Sequence, residues 1–376
     1  MQYRNALKAV IIFFFVLTIF YLSYSVFRIV TSFAPDFSVY YGAARSLVLG
    51  KNMYDDQALY TGVGYPPLSI LFYIPLSFLP FRIAQGIWVV GSFLSIFISV
   101  YLTLFLYRKS VLWQEFFIVA SLALLSFPFK FTLGMGQVNI VILFLLVLSV
   151  IFLTKRRNTI YSVLCLFFMC SLKPQMIVLL PIFLLYGHIR EILWIGILIA
   201  FGVVMSGILF GWQLYSDYIF GGVPQLLTFQ GPEVYYNQGI AAIVSRFIGS
   251  YSFIRPVWIA LSFLLYAWVI GFLKKRRVPL IGGVAIALPV LLLIEPLSWQ
   301  HHYILLLPSF VYFWKYSKTL WSKILFFICL FSISVNIPNP ALFIGNIWGS
   351  IILSHVGLGT FVFLLYNLYI QRTKPI

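Results

Sequence analysis

The chain of 376 residues is 62% hydrophobic and carries 25 basic but only 8 acidic residues, a formal net charge of +17. Its mean hydropathy of +1.02 and its repeated apolar runs exceed what a soluble core uses. The composition therefore excludes a soluble globular protein and predicts a polytopic membrane protein. The basic residues lie in small clusters between apolar runs and not along one amphipathic face, which argues against nucleic acid as a partner.

The apolar runs predict an all-α fold with about twelve transmembrane helices in one integral domain, residues 1–376. The predicted spans are residues 8–30, 83–107, 113–128, 138–154, 158–172, 174–187, 192–210, 253–273, 278–294, 302–314, 320–336 and 347–370. The runs 158–172 and 302–314 are short for an upright crossing, which leaves a re-entrant arrangement open for either. No small-residue cleavage site follows the first run, so we expect it to be retained as an anchor.

The basic clusters predict the orientation of the chain. They are Arg4 with Lys8, Arg108-Lys109, residues 155–157, Arg190, residues 274–277, residues 315–323, and Arg372 with Lys374. If every cluster is cytoplasmic, as the positive-inside rule favours, the number of crossings is even and both termini are cytoplasmic. The segment 68–80, which contains Pro75 and Pro80, is then expected to lie in or dip into the outer interface without crossing.

The external segment 34–67 is the most informative part of the sequence. Tyr40, Tyr41, Ala44, Leu47 and Val48 recur at helical spacing and predict a short helix at the membrane surface. Asp36 precedes this helix and adjoins the end of the first membrane helix. An aspartate in this position commonly caps a helix. The alternative is a chemical role, because acidic residues are scarce in this chain and a carboxylate here could reach a lipid-borne substrate.

Other short polar stretches fall on the same predicted face. They are Gln137 to Asn139, Lys173-Pro174, Asn237-Gln238, Arg246 and Trp299 to His302. In so apolar a chain, polar groups that gather on one face predict a single active site.

These residues also carry a resemblance to a known family. Its first-loop signature is matched by Asp36-Phe37, Tyr40-Tyr41, Ala44, Gly50, Tyr54-Asp55, Tyr65-Pro66-Pro67 and Pro75-Leu76. Further matches follow in order at residues 136–139, Lys173-Pro174, Asn237-Gln238 and the run PLSWQHH at 296–302. The chain closely resembles glycosyltransferase family 87, whose members have the GT-C fold and use polyprenyl-phosphate mannose. The segment 211–236 departs from the pattern, which leaves the acceptor open.

The resemblance implies an inverting, cofactor-free and metal-independent mannosyl transfer from a polyprenyl-phosphate donor to a glycolipid or glycan, within the cell membrane. Asp36 occupies the position of the family's general base. The leaving phosphate needs positive or donor groups, and the candidates are Lys173, Arg246, His301 and His302. The expected substrate-binding residues are Tyr40, Tyr54, Tyr65, Gln137, Asn139, Asn237, Gln238 and Trp299.

Each candidate has a structural alternative. Lys173 could snorkel from a helix end, and His301 and His302 could be satisfied by backbone carbonyls. Gln137 and Asn139 could cap or bridge helices. The aromatic candidates could belong to the interfacial belt, and the adjacent pair Asp55-Asp56 could be a solvated turn. The three cysteines, Cys165, Cys170 and Cys329, have no spacing that indicates a metal site or a disulfide framework.

Two other functions were considered for a sequence of this kind. A lipid-linked sugar flippase or transporter would place ionisable residues near the bilayer midplane and often shows two related halves. Neither feature is visible in this sequence. A GT-C transferase of another lipid-linked sugar, such as arabinofuranose, would share the whole architecture.

Overall fold

The computed structural model of the protein describes residues 2–31, 33–54, 64–108, 110–156, 158–224, 234–249 and 251–373. This part of the chain is helical, with no strand and one isolated antiparallel bridge between Asn237 and Trp299. Several residues named in the sequence predictions lie outside the described residues: Asp55, Asp56, Lys109, Arg157 and Lys374.

Most of the described helices are short or interrupted. In chain order the α-helices are α1 (Gln2–Thr31), α2 (Pro35–Val48), α3 (Pro67–Leu71), α4 (Ile74–Ser77), α5 (Phe81–Tyr107), α6 (Trp113–Leu125), α7 (Phe127–Met135), α8 (Asn139–Ile151), α9 (Thr159–Leu172), α10 (Leu180–Leu185), α11 (Ile189–Phe210), α12 (Gln213–Asp217), α13 (Ile240–Ile248), α14 (Tyr251–Arg276), α15 (Leu280–Ile294), α16 (Leu307–Tyr316), α17 (Leu320–Ser334), α18 (Ile347–Leu353) and α19 (His355–Thr373). Three 3₁₀ helices (Pro174–Leu179, Gln300–Leu306 and Pro340–Phe343) and two π-helices (Phe152–Arg156 and Tyr218–Gly222) connect them.

Several helices are suited to a bilayer. Among the described residues, Phe81–Tyr107, Ile189–Phe210 and Phe253–Arg276 are long and apolar enough to cross, and two bent pairs bring the number to five. Shorter apolar helices of 10–17 residues occupy most of the other predicted spans. The protein therefore has the helices of a multi-pass membrane protein, and the number of twelve spans stays a prediction.

The two bent pairs show where hydropathy misplaces a boundary. The predicted span 113–128 continues to Met135 after a bend of 61° between α6 and α7. The bend occurs because Ser126 has an extended backbone and its hydroxyl accepts the N–H of Phe129, which caps α7. The last predicted span bends by 68° between α18 and α19.

The segment 68–80 contains no helix long enough to cross a membrane, as expected. It forms α3 and α4, of five and four residues. The short run at 302–314 is a 3₁₀ helix followed by α16, and not one continuous helix. Both interruptions place irregular backbone beside the polar residues of the candidate site.

The helix predicted after Asp36 is present as α2, with Pro35 at its N-terminal end. Tyr40, Tyr41, Ala44 and Leu47 of the predicted apolar face are buried, whereas Val48 is 39% exposed. Nine of its 14 residues are buried, so α2 is enclosed by neighbouring polypeptide on most sides. The main apolar cluster extends from Leu22 to Leu368, and α15 is buried along nearly its whole length.

Candidate active site

Asp36 lies in the first turn of α2 without capping it. The N-cap residue is Ala34, and no side chain caps this end of the helix. Instead, Oδ2 of Asp36 accepts a 2.6 Å hydrogen bond from Nε2 of Gln137. The capping interpretation is therefore wrong. The partly buried carboxylate is directed towards the loop between α7 and α8.

A glycine makes this contact possible. Gly136 ends α7 with a φ of +72°, in the left-handed region that glycine adopts without strain. A Cβ atom at Gly136 would lie 2.5 Å from Cβ of Phe37. Any larger residue would therefore force α2 away from this loop. The glycine lets the two segments approach and sets Gln137 beside Asp36.

Gln137 joins Asp36 to the tyrosines of the first loop. Its Oε1 accepts a 3.1 Å hydrogen bond from the hydroxyl of Tyr40. The Tyr40 ring packs edge-on against Tyr65, with centroids 5.3 Å apart. The Tyr54 hydroxyl donates to the carbonyl of Tyr65 at 2.8 Å. These three tyrosines form one cluster beside Asp36, an arrangement more specific than an interfacial aromatic belt.

Lys173 is one of the largest fully buried side chains of the described residues, at 1% exposure. The snorkelling interpretation is therefore wrong. Its Nζ donates a 2.6 Å hydrogen bond to Oδ1 of Asn139, whose amide nitrogen donates to the His301 carbonyl at 3.2 Å. Burial lowers the pKa of Lys173 to about 8, although the negative charges of Glu295 and Asp36 oppose this shift.

Glu295 is a member of the site that the sequence did not single out. It follows α15 and is 6% exposed. Its Oε2 lies 3.0 Å from Nδ1 of His302, and its Oε1 accepts a 2.9 Å hydrogen bond from Gln175. Both residues adjoin motifs that were recognised: Glu295 precedes PLSWQHH, and Gln175 follows Lys173-Pro174. That adjacency was the available signal.

The Glu295 carboxyl remains acidic despite its burial. Burial by itself raises its pKa, but the charges of His302 and Lys173 and the hydrogen bonds from His302 and Gln175 outweigh this, so the net pKa is lowered. Asp36 shows the opposite balance. Burial raises its pKa, and the Gln137 hydrogen bond and the charge of Lys173 only partly offset that effect. Burial thus dominates at Asp36, whereas the surrounding charges and hydrogen bonds dominate at Glu295.

His301 has an unusual environment for a polar ring. Both ring nitrogens are buried, and neither has a hydrogen-bond partner among the described residues. The ring stacks parallel to Trp299 at 6.4 Å and meets Phe131 edge-on at 5.0 Å. Burial, reinforced by the charges of His302 and Lys173, holds its pKa well below the ordinary value, so the imidazole is neutral. The interpretation that backbone carbonyls satisfy the rings of His301 and His302 is wrong, because Nδ1 of His302 is bound by Glu295.

The side chain of Asn237 and the backbone N–H of Gln238 bind the PLSWQHH segment, the latter through the Ser298 carbonyl at 2.8 Å. The Asn237 side chain donates to the Pro296 carbonyl at 2.8 Å and accepts the Ser298 N–H at 3.0 Å. Gln238 donates to the Leu353 carbonyl at 2.8 Å. Their direct roles in substrate binding stay predictions.

Arg246 has a similar bracing position on α13. Its guanidinium donates to the carbonyls of Val234, Tyr235 and Asn237 and to the hydroxyl of Ser354. These contacts tie it to the segment that pairs with Trp299. The predicted contact between Arg246 and the donor phosphate stays a prediction.

Asp36, Lys173 and Glu295 act on one another at a distance. Neither carboxylate lies within 4.0 Å of the Lys173 ammonium in the described part of the chain, although the charges of both affect its pKa. An ammonium that is shared without direct pairing is available to an incoming anion. No group of three or more His, Cys, Asp or Glu side chains among the described residues could hold a metal ion.

An apolar groove begins beside this cluster. It has a volume of about 370 Å³ and lies between α5, α6, α16 and α17. Tyr303, the residue after His302, lines it, as do Arg108 and Lys315 at the C-terminal ends of α5 and α16. Along α16 its lining extends from Leu307 through Val311 to Lys315, so the groove offers an apolar path beside this helix.

The fold and the site together define a multi-pass helical membrane protein with one buried cluster of acidic, basic and amide side chains. The chain belongs to glycosyltransferase family 87, whose model matches residues 63–296. The matched range contains Gln137, Lys173 and Glu295, whereas Asp36 and His302 lie outside it.

The curated relatives have low sequence identity to the chain, and both are named as mannosyltransferases. The chain is 25% identical over 299 residues, 73% of its length and 67% of the relative's, to a polyprenol-phosphate-mannose-dependent alpha-(1-2)-phosphatidylinositol pentamannoside mannosyltransferase of Mycolicibacterium smegmatis. It is 24% identical over 303 residues, 74% and 70% of the two lengths, to a polyprenol-phosphate-mannose-dependent alpha-(1-2)-phosphatidylinositol mannoside mannosyltransferase of Mycobacterium tuberculosis. No solved structure matches the chain.

Proposed function

We propose that this glycosyltransferase moves mannose from a polyprenyl-phosphate donor to a hydroxyl of a glycolipid acceptor at the extracytoplasmic face of the cell membrane. The observation that carries the proposal is the Asp36 carboxylate, held by Gln137 at 2.6 Å and within the electrostatic reach of Lys173. The names of the two mannosyltransferase relatives support the donor sugar and a phosphatidylinositol mannoside as the kind of acceptor.

Asp36 is the proposed general base. It removes the proton of the acceptor hydroxyl while that oxygen attacks the anomeric carbon and the bond from that carbon to the phosphate oxygen breaks. Attack from the face opposite the phosphate inverts the anomeric configuration. The elevated pKa of Asp36 suits this role, because a base works best when its pKa lies near the working pH. Such a base contributes roughly 10² to 10⁴ in rate.

Lys173, His301 and His302 form the proposed phosphate site. The donor is a phosphodiester with one negative charge, and the leaving prenyl phosphate monoester carries two. A fixed ammonium and ring nitrogens stabilise the charge that develops as the bond breaks. The unpartnered nitrogens of His301 support this role, because a buried polar atom without a partner is costly until a ligand supplies one.

The apolar groove is the proposed site of the prenyl chain. It starts at Tyr303, next to His302, and extends along α16, so a lipid whose phosphate sits at the histidines could lay its chain in it. Burying about 25 cal/mol per Å² of hydrocarbon surface would then contribute to donor affinity. Because a lipid monophosphate has no diphosphate for a metal ion to bridge, we propose that transfer is metal-independent.

The chain is proposed to be one integral domain, since its main apolar cluster extends from Leu22 to Leu368. Both termini are proposed to be cytoplasmic and the active site extracytoplasmic. Single cysteines at Asp36 and at Lys274, introduced after Cys165, Cys170 and Cys329 are replaced, should label from opposite sides of sealed vesicles. If positions 36 and 302 label from opposite sides, one site does not contain both residues and the mechanism fails.

The function is tested with purified protein, labelled polyprenyl-phosphate mannose and phosphatidylinositol mannosides, with and without a chelator. We expect label in the glycolipid under both conditions. Transfer only from polyprenyl-phosphate arabinose would change the donor assignment. Movement of the intact donor across proteoliposomes without any transfer would identify a flippase.

A further inference from the structure

The contact between Glu295 and His302 is distinct from the other ionic contacts of the site because it fixes a tautomer. Oε2 of Glu295 lies 3.0 Å from Nδ1 of His302, and both side chains are 5% exposed. An ionised carboxylate only accepts hydrogen bonds, so Nδ1 carries a proton. The neutral ring then presents an unprotonated Nε2, and only the imidazolium has an N–H at that atom.

Both oxygens of Glu295 are occupied within the protein. Gln175 donates to Oε1 at 2.9 Å, and His302 binds Oε2. The carboxylate is thus fixed in direction by two protein partners. No protein partner of Nε2 of His302 is present among the described residues, so this nitrogen is the end of the pair that remains for a ligand.

We propose that Glu295 is a positioning residue, which holds His302 in the Nδ1-protonated form and supports a positive charge on its ring, so that Nε2–H binds the leaving prenyl phosphate. This inference rests on the proposed function. During transfer the acceptor proton goes to Asp36, and the electron pair of the broken carbon–oxygen bond goes to the phosphate. The phosphate then carries two negative charges, and the imidazolium meets the second.

The charge of His302 depends on its surroundings. Burial opposes the imidazolium, Glu295 favours it through its charge and its hydrogen bond, and the charge of Lys173 opposes it. His301 packs against the ring with centroids 4.5 Å apart. The net effect lowers the pKa of His302, which disfavours the imidazolium until a ligand adds negative charge. An arriving phosphate adds negative charge beside Nε2 and shifts the balance, so ligand binding is coupled to proton uptake at His302.

The first experiment measures this coupling without catalysis. Farnesyl phosphate is titrated into the full-length protein at pH 7.5 by calorimetry, in buffers that differ in ionisation enthalpy. We expect net proton uptake by the parental protein, at His302 and in part at Lys173, whose pKa is about 8, a smaller uptake in Glu295→Gln, and the parental uptake in Glu295→Asp. The matched control is Glu191→Gln, because Glu191 faces Nδ1 of His188 at 3.6 Å elsewhere in the chain. Equal uptake in the parental protein and Glu295→Gln would overturn the proposal.

The second experiment measures the pH profile of mannose transfer. The imidazolium is the active form, so kcat falls as pH rises through its pKa. Removing the carboxylate charge should move this alkaline limb to lower pH by about one unit or more. On the alkaline side that shift lowers kcat about tenfold per unit. A Glu295→Gln enzyme that is equally impaired at every pH would show a structural role only.

The two experiments separate the inference from the proposed function. Suppose that proton uptake depends on Glu295 but the protein transfers no mannose. The assignment of mannose as the donor sugar would then be wrong, and the proposed role of Glu295 towards His302 would still stand. Thermal unfolding of each variant checks the fold. If Glu295→Gln does not fold, Glu295→Asp decides, since it keeps the charge and should keep both the uptake and the alkaline limb.

Discussion

Nε2 of Gln137 donates a 2.6 Å hydrogen bond to Oδ2 of Asp36, across 101 positions of sequence. The contact joins the first turn of α2 to the turn after α7. Asp36 lies inside the first turn and Ala34 is the N-cap residue, so the carboxylate is bound by Gln137 and does not cap the helix. The environment of Asp36 therefore depends on one amide side chain and on the glycine that brings it close.

Asp36→Asn should abolish most of the transfer without unfolding the protein. Asparagine keeps the shape and can accept the Gln137 hydrogen bond, but it cannot take up a proton. We expect transfer to fall roughly a hundredfold or more and the free energy of unfolding to change by less than about 1 kcal/mol. Donor binding should persist, because the proposed role concerns the acceptor hydroxyl.

The matched control for this change is Asp217→Asn. Asp217 also accepts amide hydrogen bonds, from Asn52 and Gln213, and among the described residues neither of these amides is hydrogen-bonded to Asp36. The Asp217→Asn protein should transfer sugar at the parental rate. An Asp36→Asn protein that does the same would remove the assignment of the base.

Gln137→Met should shift the acid limb of the pH profile. Asp36 is active when ionised, so kcat/KM is lost as pH falls through its pKa, which burial has already raised. Removing the amide donor takes away a hydrogen bond that lowers this pKa, and the limb should move to higher pH. Gln213→Met removes the equivalent donor from Asp217 and should leave the profile unchanged. A shift to lower pH in Gln137→Met would contradict the proposed coupling.

Lys173→Met should weaken donor binding. A hydrogen bond to a charged group contributes about 1.5–3 kcal/mol, so the dissociation constant should rise roughly ten- to hundredfold. Because the pKa of Lys173 is about 8, parental affinity should decline as pH rises through that value, and the variant should lack this decline. Lys274→Met, at an exposed position, is the control. Unchanged affinity of Lys173→Met for prenyl phosphate would show that the ammonium serves the fold alone.

A tryptophan in the groove should discriminate donors by chain length. Val311 lines the groove, and Val311→Trp would exclude part of a long prenyl chain. Each excluded CH₂ costs about 0.8 kcal/mol, so the loss of two raises KM for the long-chain donor roughly tenfold. A donor whose prenyl chain is too short to reach Val311 should be unaffected. Ile98→Trp, on an exposed part of α5, should change neither KM, and equal effects of both variants would argue against the groove.

Much of the local structure could be predicted from the sequence. The apolar runs gave most helices to within a few residues, because a long apolar segment in a bilayer must satisfy its own backbone and does so as a helix. The prolines at 75 and 80 indicated an interrupted segment, which forms two short helices, and its place at the outer interface stays a prediction. The bend at Ser126 was missed, although Pro128 at the start of α7 is a signal of a helix break.

The sequence by itself determined the class of the protein, most of its helices and the polar residues of the candidate site, because hydropathy and motif are properties of neighbouring residues. Only the tertiary structure decided what each polar group faces. It buried Lys173 against Asn139, brought Gln137 to Asp36 through the turn at Gly136, and paired Glu295 with His302. These contacts join separate segments of the chain, and side-chain packing between helices sets them. No local pattern records that packing.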